Sequence, residues 1–232
     1  MRVAVDVWQI DLAEAAPPSA VDLEILSAEE LARHARYLVA EPARIFATTR
    51  IALRRLLALR SGRKPSELLI DTGAHGKPFC SGASPLFFNV SHCATTALIA
   101  LCDAAPVGID VDAPTAIPAE SPMEASICTT AERAWIRCGE APAGVALARL
   151  WIRKEAVLKA CGTGLTQPMS SFDLGDPNAM SGLVVEPSMG RVVWRDLALT
   201  AQEFASIALH DGKATSIDVV HGGYPPLRGD AR

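Results

Sequence analysis

Gly108-Ile109-Asp110-Val111-Asp112 sets two carboxylates two residues apart. On a β-strand, residues i and i+2 project from one face, so Asp110 and Asp112 would stand together while Ile109 and Val111 enter a core. Paired hard oxygens suit Mg²⁺, which usually keeps some water and takes phosphates as further ligands. Alone, an Asp-x-Asp pair is more often a strand leaving its sheet with both acids in water. In Trp151-Ile-Arg-Lys154-Glu155-Ala-Val-Leu-Lys159, Trp151, Glu155 and Lys159 recur every fourth residue and share one side of a helix. Glu155 would add a third carboxylate there, and Lys159 would reach a metal-bound phosphate. The plain alternative is an i,i+4 ion pair worth only ~0.2–0.5 kcal/mol, with Trp151 as core. A third group is Gly76-Lys77-Pro78 followed by Phe88-Asn89-Val90-Ser91-His92. Serine, histidine and backbone N–H groups at a strand end can donate to a phosphate, although a single histidine is more often structural.

The elements that would carry these residues can be read from periodicity. Val3 to Ile10 alternates as a first strand. Ser27-Ala-Glu-Glu30 and Thr129-Thr-Ala-Glu132 have capping-box spacing and open helices. A longer helix follows Glu41-Pro42, with Phe46, Leu53, Leu56 and Leu57 on one side and Gly62 at its end. Leu86–Val90 reads as a strand. Thr95–Cys102 and Val107–Asp112, joined by the turn Asp103-Ala-Ala-Pro106, read as a hairpin. A proline-rich connector (Pro114, Pro118, Pro122) leads to the helix of Val145–Cys161, stopped by Gly162 and Gly164. Strands are expected at Gly182–Glu186, Arg191–Trp194, Ala205–Leu209 and Ser216–Val220, with Gly222–Arg232 as a frayed tail. Each half runs from helix-rich to strand-rich sequence, which suggests two similar α+β lobes.

At 232 residues and 50% hydrophobic, the chain can bury a sizeable core, and wholesale disorder is excluded. Six cysteines without CxxC spacing fit reduced thiols rather than disulfides or structural zinc. Asp6 comes too early for a secretory apolar region, and no apolar run approaches the ~20 residues of a membrane span. A soluble, cytoplasmic protein is expected. Charge is uneven: Arg33, Arg36, Arg44, Arg50, Arg54, Arg55, Arg60, Arg63 and Lys64 fall in residues 31–64 against one acid, Glu41, on a chain of net charge −4. Such a stretch points to an anionic ligand or an acidic partner, or simply to a solvated helix face. Few aromatics and no nucleic-acid motif argue against DNA or RNA.

In this order and spacing, Gly76-Lys77-Pro78, Phe88-Asn-Val-Ser-His92, Gly108-Ile-Asp-Val-Asp112 and Trp151-x-x-Lys-Glu-x-x-x-Lys159 resemble the 4′-phosphopantetheinyl transferases, most of all the surfactin-synthetase-activating, or Sfp-like, type. Cys128-Thr-Thr-Ala-Glu132 is similar to the family's Phe-Ser-x-x-Glu turn, and Gly162-Thr-Gly-Leu165 follows the signature helix. The resemblance runs over about residues 26–172. Asp112 stands where the family usually has Glu, one methylene longer. A gap-free alignment puts Arg33 at a basic coenzyme A-contacting position, drops a neighbouring family lysine onto Glu30, and leaves Arg44 ambiguous by about a residue.

The resemblance implies an α+β pseudo-dimer of two similar lobes, residues 1–104 and 105–224 with a tail at 225–232, and coenzyme A in the cleft between them. It implies transfer of phosphopantetheine from coenzyme A to a serine of an acyl, peptidyl or aryl carrier protein, releasing adenosine 3′,5′-bisphosphate. Mg²⁺ would sit on Asp110, Asp112 and Glu155. Asp110, Glu155 and Lys159 would be catalytic, with Glu155 or a metal-bound water as base. Lys77, Pro78 and Lys159 would meet the coenzyme, Ser91 and His92 its 3′-phosphate, and Arg33 and Arg44 would also contact it. The carrier would dock near Ala113–Cys128, where Ile117, Met123 and Ile127 lie. A monomer is expected, because both lobes are in one chain. Two rivals are a catalytically silent coenzyme A- or carrier-binding homologue and a Mg²⁺-dependent phosphohydrolase or nuclease.

Overall fold

The first strand, β1 (Arg2–Asp11), buries Val3, Val5 and Val7 on one face, and Ile10 near its end enters a second core. That division runs through the whole computed structural model, which describes residues 1–81, 86–113, 122–139, 141–176, 178–199 and 203–224. After β1 come α1 (Ala20–Leu23), α2 (Ala28–Ala35), α3 (Ala40–Ser61), β2 (Ile70–Thr72), β3 (Pro78–Cys80), β4 (Phe87–His92) and β5 (Thr96–Cys102). The second half adds β6 (Val107–Asp112), α4 (Pro122–Ile127), α5 (Thr130–Cys138), α6 (Ala143–Cys161), β7 (Ser181–Glu186), β8 (Gly190–Leu197), β9 (Phe204–His210) and β10 (Ser216–Gly223).

Two four-stranded sheets form, ordered β10-β1-β5-β4 and β6-β9-β8-β7, beside a small β2-β3 ribbon. Leu98, Ala100 and Cys102 of β5 pack with Ile109 of β6 and Ile207 of β9, so the sheets face each other. The opposite face of β5, through Ile99 and Leu101, packs on Leu53, Leu56 and Leu57 of α3. The outer face of the second sheet packs Val192, Trp194 and Ala208 on Leu147, Leu150 and Leu158 of α6. The layers are therefore helix, sheet, sheet, helix, a mixed α+β arrangement. β1-β5-β4 with α3 repeats the order β6-β9-β8 with α6, as two similar lobes require.

The repetition extends to buried charge. Ser27 and Thr129 cap α2 and α5 with reciprocal capping boxes that use Glu30 and Glu132. Each glutamate pairs with a buried cation on the long helix of its lobe, Glu30 with Arg54 and Glu132 with Lys154, both at 2.6 Å. Both cations stand eight residues before the left-handed glycine, Gly62 or Gly162, that ends their helix. Both also donate to carbonyls of the segment behind their helix, Arg54 to Pro65 and Leu68, and Lys154 to Met169 and Phe172, and Lys154 also to Ile127 at the end of α4. One side chain thus joins the short helix, the long helix and the loop behind it.

Three expectations are corrected. β5 and β6 form no hairpin; β5 pairs with β1 and β4, and β6 with β9, so the turn at 103–106 carries the chain from one sheet to the other. β6 adjoins the edge strand β4 through side chains: Asn89 Oδ1 accepts from Ile109 N at 2.9 Å and Ser91 Oγ from Val111 N at 3.3 Å. Gly222 and Gly223 are not tail but belong to β10, where Gly222 lies against the Trp8 ring. That strand, expected in the second lobe, pairs in parallel with β1 and completes the first sheet. Gly82, Pro114, Ile117, Pro118 and the tail from 225 lie outside the described residues. α1, with its Ser19–Asp22 capping box, the β2-β3 ribbon, and α4, which begins at Pro122 where a connector is expected, are elements that local pattern does not predict.

Replacing Lys154 by Met strands Glu132 as a buried, uncompensated carboxylate, and should cost about 3–5 kcal/mol in urea denaturation. Adding Glu132→Gln should recover part of that loss. A single variant as stable as the parent would show that the pair does not hold α5 to α6.

Candidate active site

The strand β6 alternates as its sequence suggests, with Val107, Ile109 and Val111 in the core between the sheets. Gly108 and Asp110 face α6. A Cβ on Gly108 would lie 2.1 Å from Ala156 O and 2.3 Å from Ala160 N, so strand and helix touch backbone to backbone. That contact sets Asp110 opposite Lys159, one helical turn from Glu155. Lys159 Nζ reaches Asp110 Oδ1 at 2.6 Å, Ile109 O at 3.2 Å and Ser91 Oγ at 3.3 Å. Ser91 Oγ donates to the same Asp110 oxygen at 2.7 Å. Asp110 is only 7% exposed, and two donors satisfy its charge where water cannot. Three separate strands and helices, one from the first lobe and two from the second, therefore meet at one carboxylate.

Glu155 is half-buried, and burial pushes its carboxyl above the usual range; the Asp110 charge adds to this and Lys159 opposes it. Asp112 is exposed at the strand end, where Oδ1 accepts from Ala113 N at 2.8 Å. Among the described residues no group of three acidic, histidine or cysteine side chains gathers in metal-holding geometry. The donor chemistry still fits a hard divalent ion: Asp110 and Glu155 are carboxylates that feel each other's charge, and both offer the hard oxygens that such a cation prefers.

Beside this junction, between α3 and β4, lies a cavity of about 230 Å³ whose lining includes Arg33, Thr49, Arg50, Pro78, Asn89 and His92. Phe46 forms part of its wall, with the Arg33 guanidinium 4.8 Å from its ring centre. Two arginines, a histidine and an aromatic ring suit an anionic, partly aromatic ligand. The Thr49 hydroxyl is buried without a hydrogen-bond partner among the described residues. Enclosure of the His92 ring lowers its pKa from the usual value, and Lys159 pushes the same way, so the ring is neutral near pH 7.

Arg33, Pro78 and His92 thus line the cavity, while Asp110, Lys159 and Ser91 bond one another beside it, with Glu155 one helical turn from Lys159 and within electrostatic reach of Asp110. Ser91 is turned toward Asp110 rather than left open for a phosphate, because its strand lies beside β6. Arg44 is drawn away by Glu41, at 2.6 Å, and by Ala15 O. Lys77, expected at a phosphate, instead donates to Val107 O and Ala160 O, each at 3.0 Å. Part of the basic stretch is paired with acids outside it: Arg50 and Arg54 with Glu30, Arg55 with Asp22, and Arg60 with Asp6 and Asp103. Met123 is exposed on α4, whereas Ile127 is buried. Arg50, Thr49 and Asn89 were not singled out as ligand contacts, although Arg50 follows Phe46 by one helical turn, a spacing that puts both on one face.

A family model described as the 4′-phosphopantetheinyl transferase superfamily matches residues 106–214, which span β6 to β9. The chain is 33% identical over 146 residues to the putative 4′-phosphopantetheinyl transferase slr0495 of Synechocystis sp., covering 61% of this chain and 59% of that protein. It is 31% identical over 180 residues to the 4′-phosphopantetheinyl transferase HetI of Nostoc sp., covering 70% of each. It is 32% identical over 111 residues to the 4′-phosphopantetheinyl transferase AcpT of Salmonella typhi, covering 47% of this chain and 57% of that one. The match thus spans less than two thirds of slr0495 and of AcpT.

Ser91→Ala leaves the Val111 N–H without an acceptor and removes one donor from Asp110. It should lower unfolding stability by about 1–3 kcal/mol. An unchanged urea midpoint would mean that β4 and β6 are held together by other contacts.

Proposed function

This chain belongs to the 4′-phosphopantetheinyl transferase superfamily, and on that footing we propose that it transfers the phosphopantetheine arm of coenzyme A to a serine of an apo acyl, peptidyl or aryl carrier protein, releasing adenosine 3′,5′-bisphosphate. The observation that carries the reading is the Asp110–Lys159 pair, with Glu155 one helical turn before Lys159, beside a cavity lined by Arg33, Arg50 and His92.

In this reading the cavity takes the 3′-phosphoadenosine end, with the two guanidiniums on its phosphate and Phe46 alongside. Lys159 supplies positive charge to the pyrophosphate and is held ready by Asp110 and Ile109 O. Asp110 and Glu155, with Asp112 alongside, would hold magnesium, which would supply charge neutralisation at the pyrophosphate and polarise the reacting phosphorus. Glu155, whose carboxylate forms no hydrogen bond among the described residues, accepts the proton of the carrier serine. Met123 on α4 offers an apolar contact to the carrier. One chain carries both lobes, which favours a monomer, and a cytoplasmic location fits the coenzyme. Among the described residues, no helix is long and apolar enough to cross a membrane.

Incubation with coenzyme A, Mg²⁺ and several apo carrier proteins should add phosphopantetheine to at least one, read as a mass shift. Phosphate release without any acceptor would replace this reading with hydrolysis. Asp110→Ala and Glu155→Gln should each slow transfer by about 10²-fold or more while the fold survives; near-normal turnover in either would sink the assignment. His92→Ala should raise the KM for coenzyme A by roughly tenfold, and far less for 3′-dephospho-coenzyme A. Equal losses with both would make His92 structural or a contact to another part of the ligand.

A further inference from the structure

Lys77 follows a turn that is closed by its own backbone. Gly76 N bonds Gly73 O and Gly73 N bonds Lys77 O, each at 2.9 Å, and Gly76 takes a φ of 83°. The β2-β3 ribbon therefore presents Lys77 in one direction. The next residue, Pro78, lines the cavity, but the ammonium of Lys77 lies elsewhere, 3.0 Å from both Val107 O and Ala160 O. Its stem passes Gly162, where an added Cβ would come 3.4 Å from Lys77 Cδ.

The two carbonyls belong to the elements that carry the candidate site. Val107 is the first residue of β6, three before Asp110. Ala160 follows Lys159 in the last turn of α6, where carbonyls lack intrahelical partners and a cation complements the helix dipole. Between these two points lies the contact of Gly108 with the helix backbone. Sterics at Gly108 set how closely strand and helix approach, but do not stop one from sliding along the other. A single cation bonded to both does. Burial lowers the pKa of Lys77 to about 8, so at pH 7 the ammonium remains the donor of both bonds.

We infer that Lys77 is a positioning residue, a clasp reaching from the first lobe to fix β6 against the C-terminal turn of α6 and so hold Asp110 and Lys159 in register, rather than a contact to the phosphates of the coenzyme. The kinetic arm of the test rests on the transfer proposed above; the structural arms do not.

Lys77→Met keeps the aliphatic stem and removes the ammonium. Without any ligand, hydrogen exchange of amides in 107–112 and 158–162 should accelerate at least tenfold. Coenzyme A affinity, measured calorimetrically, should stay within threefold of the parent. In transfer assays kcat should fall tenfold or more, with KM for coenzyme A nearly unchanged. Affinity weakened tenfold with exchange unaltered would overturn the inference and make Lys77 a ligand contact. Should the variant not fold, the parent protein decides: a slowly exchanging Lys77 ammonium signal in nitrogen-15 NMR, assigned through its own side-chain carbons, is expected without ligand, and its absence contradicts the clasp. If the parent itself transfers nothing, the proposed function fails, while the exchange and ammonium measurements still judge Lys77.

Discussion

The backbone contact between β6 and α6 at Gly108 is the constraint on which the candidate site depends. Any side chain at that position would drive its Cβ to within 2.1 Å of a helix carbonyl, so the strand can lie this close only as glycine. Once it does, the alternation of β6 turns Asp110 onto the helix, and the helical period presents Lys159 and Glu155 to it. An aspartate 7% exposed would be costly alone. It is tolerable because Lys159 and Ser91 both donate to it. The serine comes from β4, so its hydrogen bonds to the ion pair tie one lobe to the other.

The rest of the architecture keeps that junction rigid. In each lobe a buried cation on the long helix joins the glutamate of a capping box to the carbonyls of a following loop, Arg54 with Glu30 and Lys154 with Glu132. Buried pairs of this kind add little net stability over apolar packing, but losing one partner is severe, so they fix the helices in one arrangement. Side-chain bridges from Asn89 and Ser91 replace a backbone ladder between β4 and β6. The arginine-lined cavity lies on the other side of β4, against α3.

Much of this was legible in the sequence because it is local. Capping boxes at Ser27 and Thr129, the glycines after α3 and α6, and the alternation of β6 are set within a few residues. So is the shared helix face of Glu155 and Lys159, and the resemblance to a known family joined these motifs correctly to a mixed α+β fold. What local pattern does not carry is the choice of distant partner. The apparent hairpin at 95–112 had ordinary turn chemistry, yet its strands find better-packed neighbours in two different sheets. The basic run 31–64 looked unneutralised because its acids, Asp6, Asp22 and Asp103, lie elsewhere in the chain. Lys77 has the right residue type for a phosphate, but backbone carbonyls that no motif encodes claim its ammonium.

The most direct test of the account is a crystal structure of the protein with coenzyme A and Mg²⁺. The 3′-phosphoadenosine is predicted between α3 and β4 against Arg33 and Arg50, with the pyrophosphate at Lys159 and the metal on Asp110 and Glu155. Coenzyme A bound anywhere else, with Asp110 still closed on Lys159 and no metal beside it, would contradict the claim that this junction is the catalytic centre.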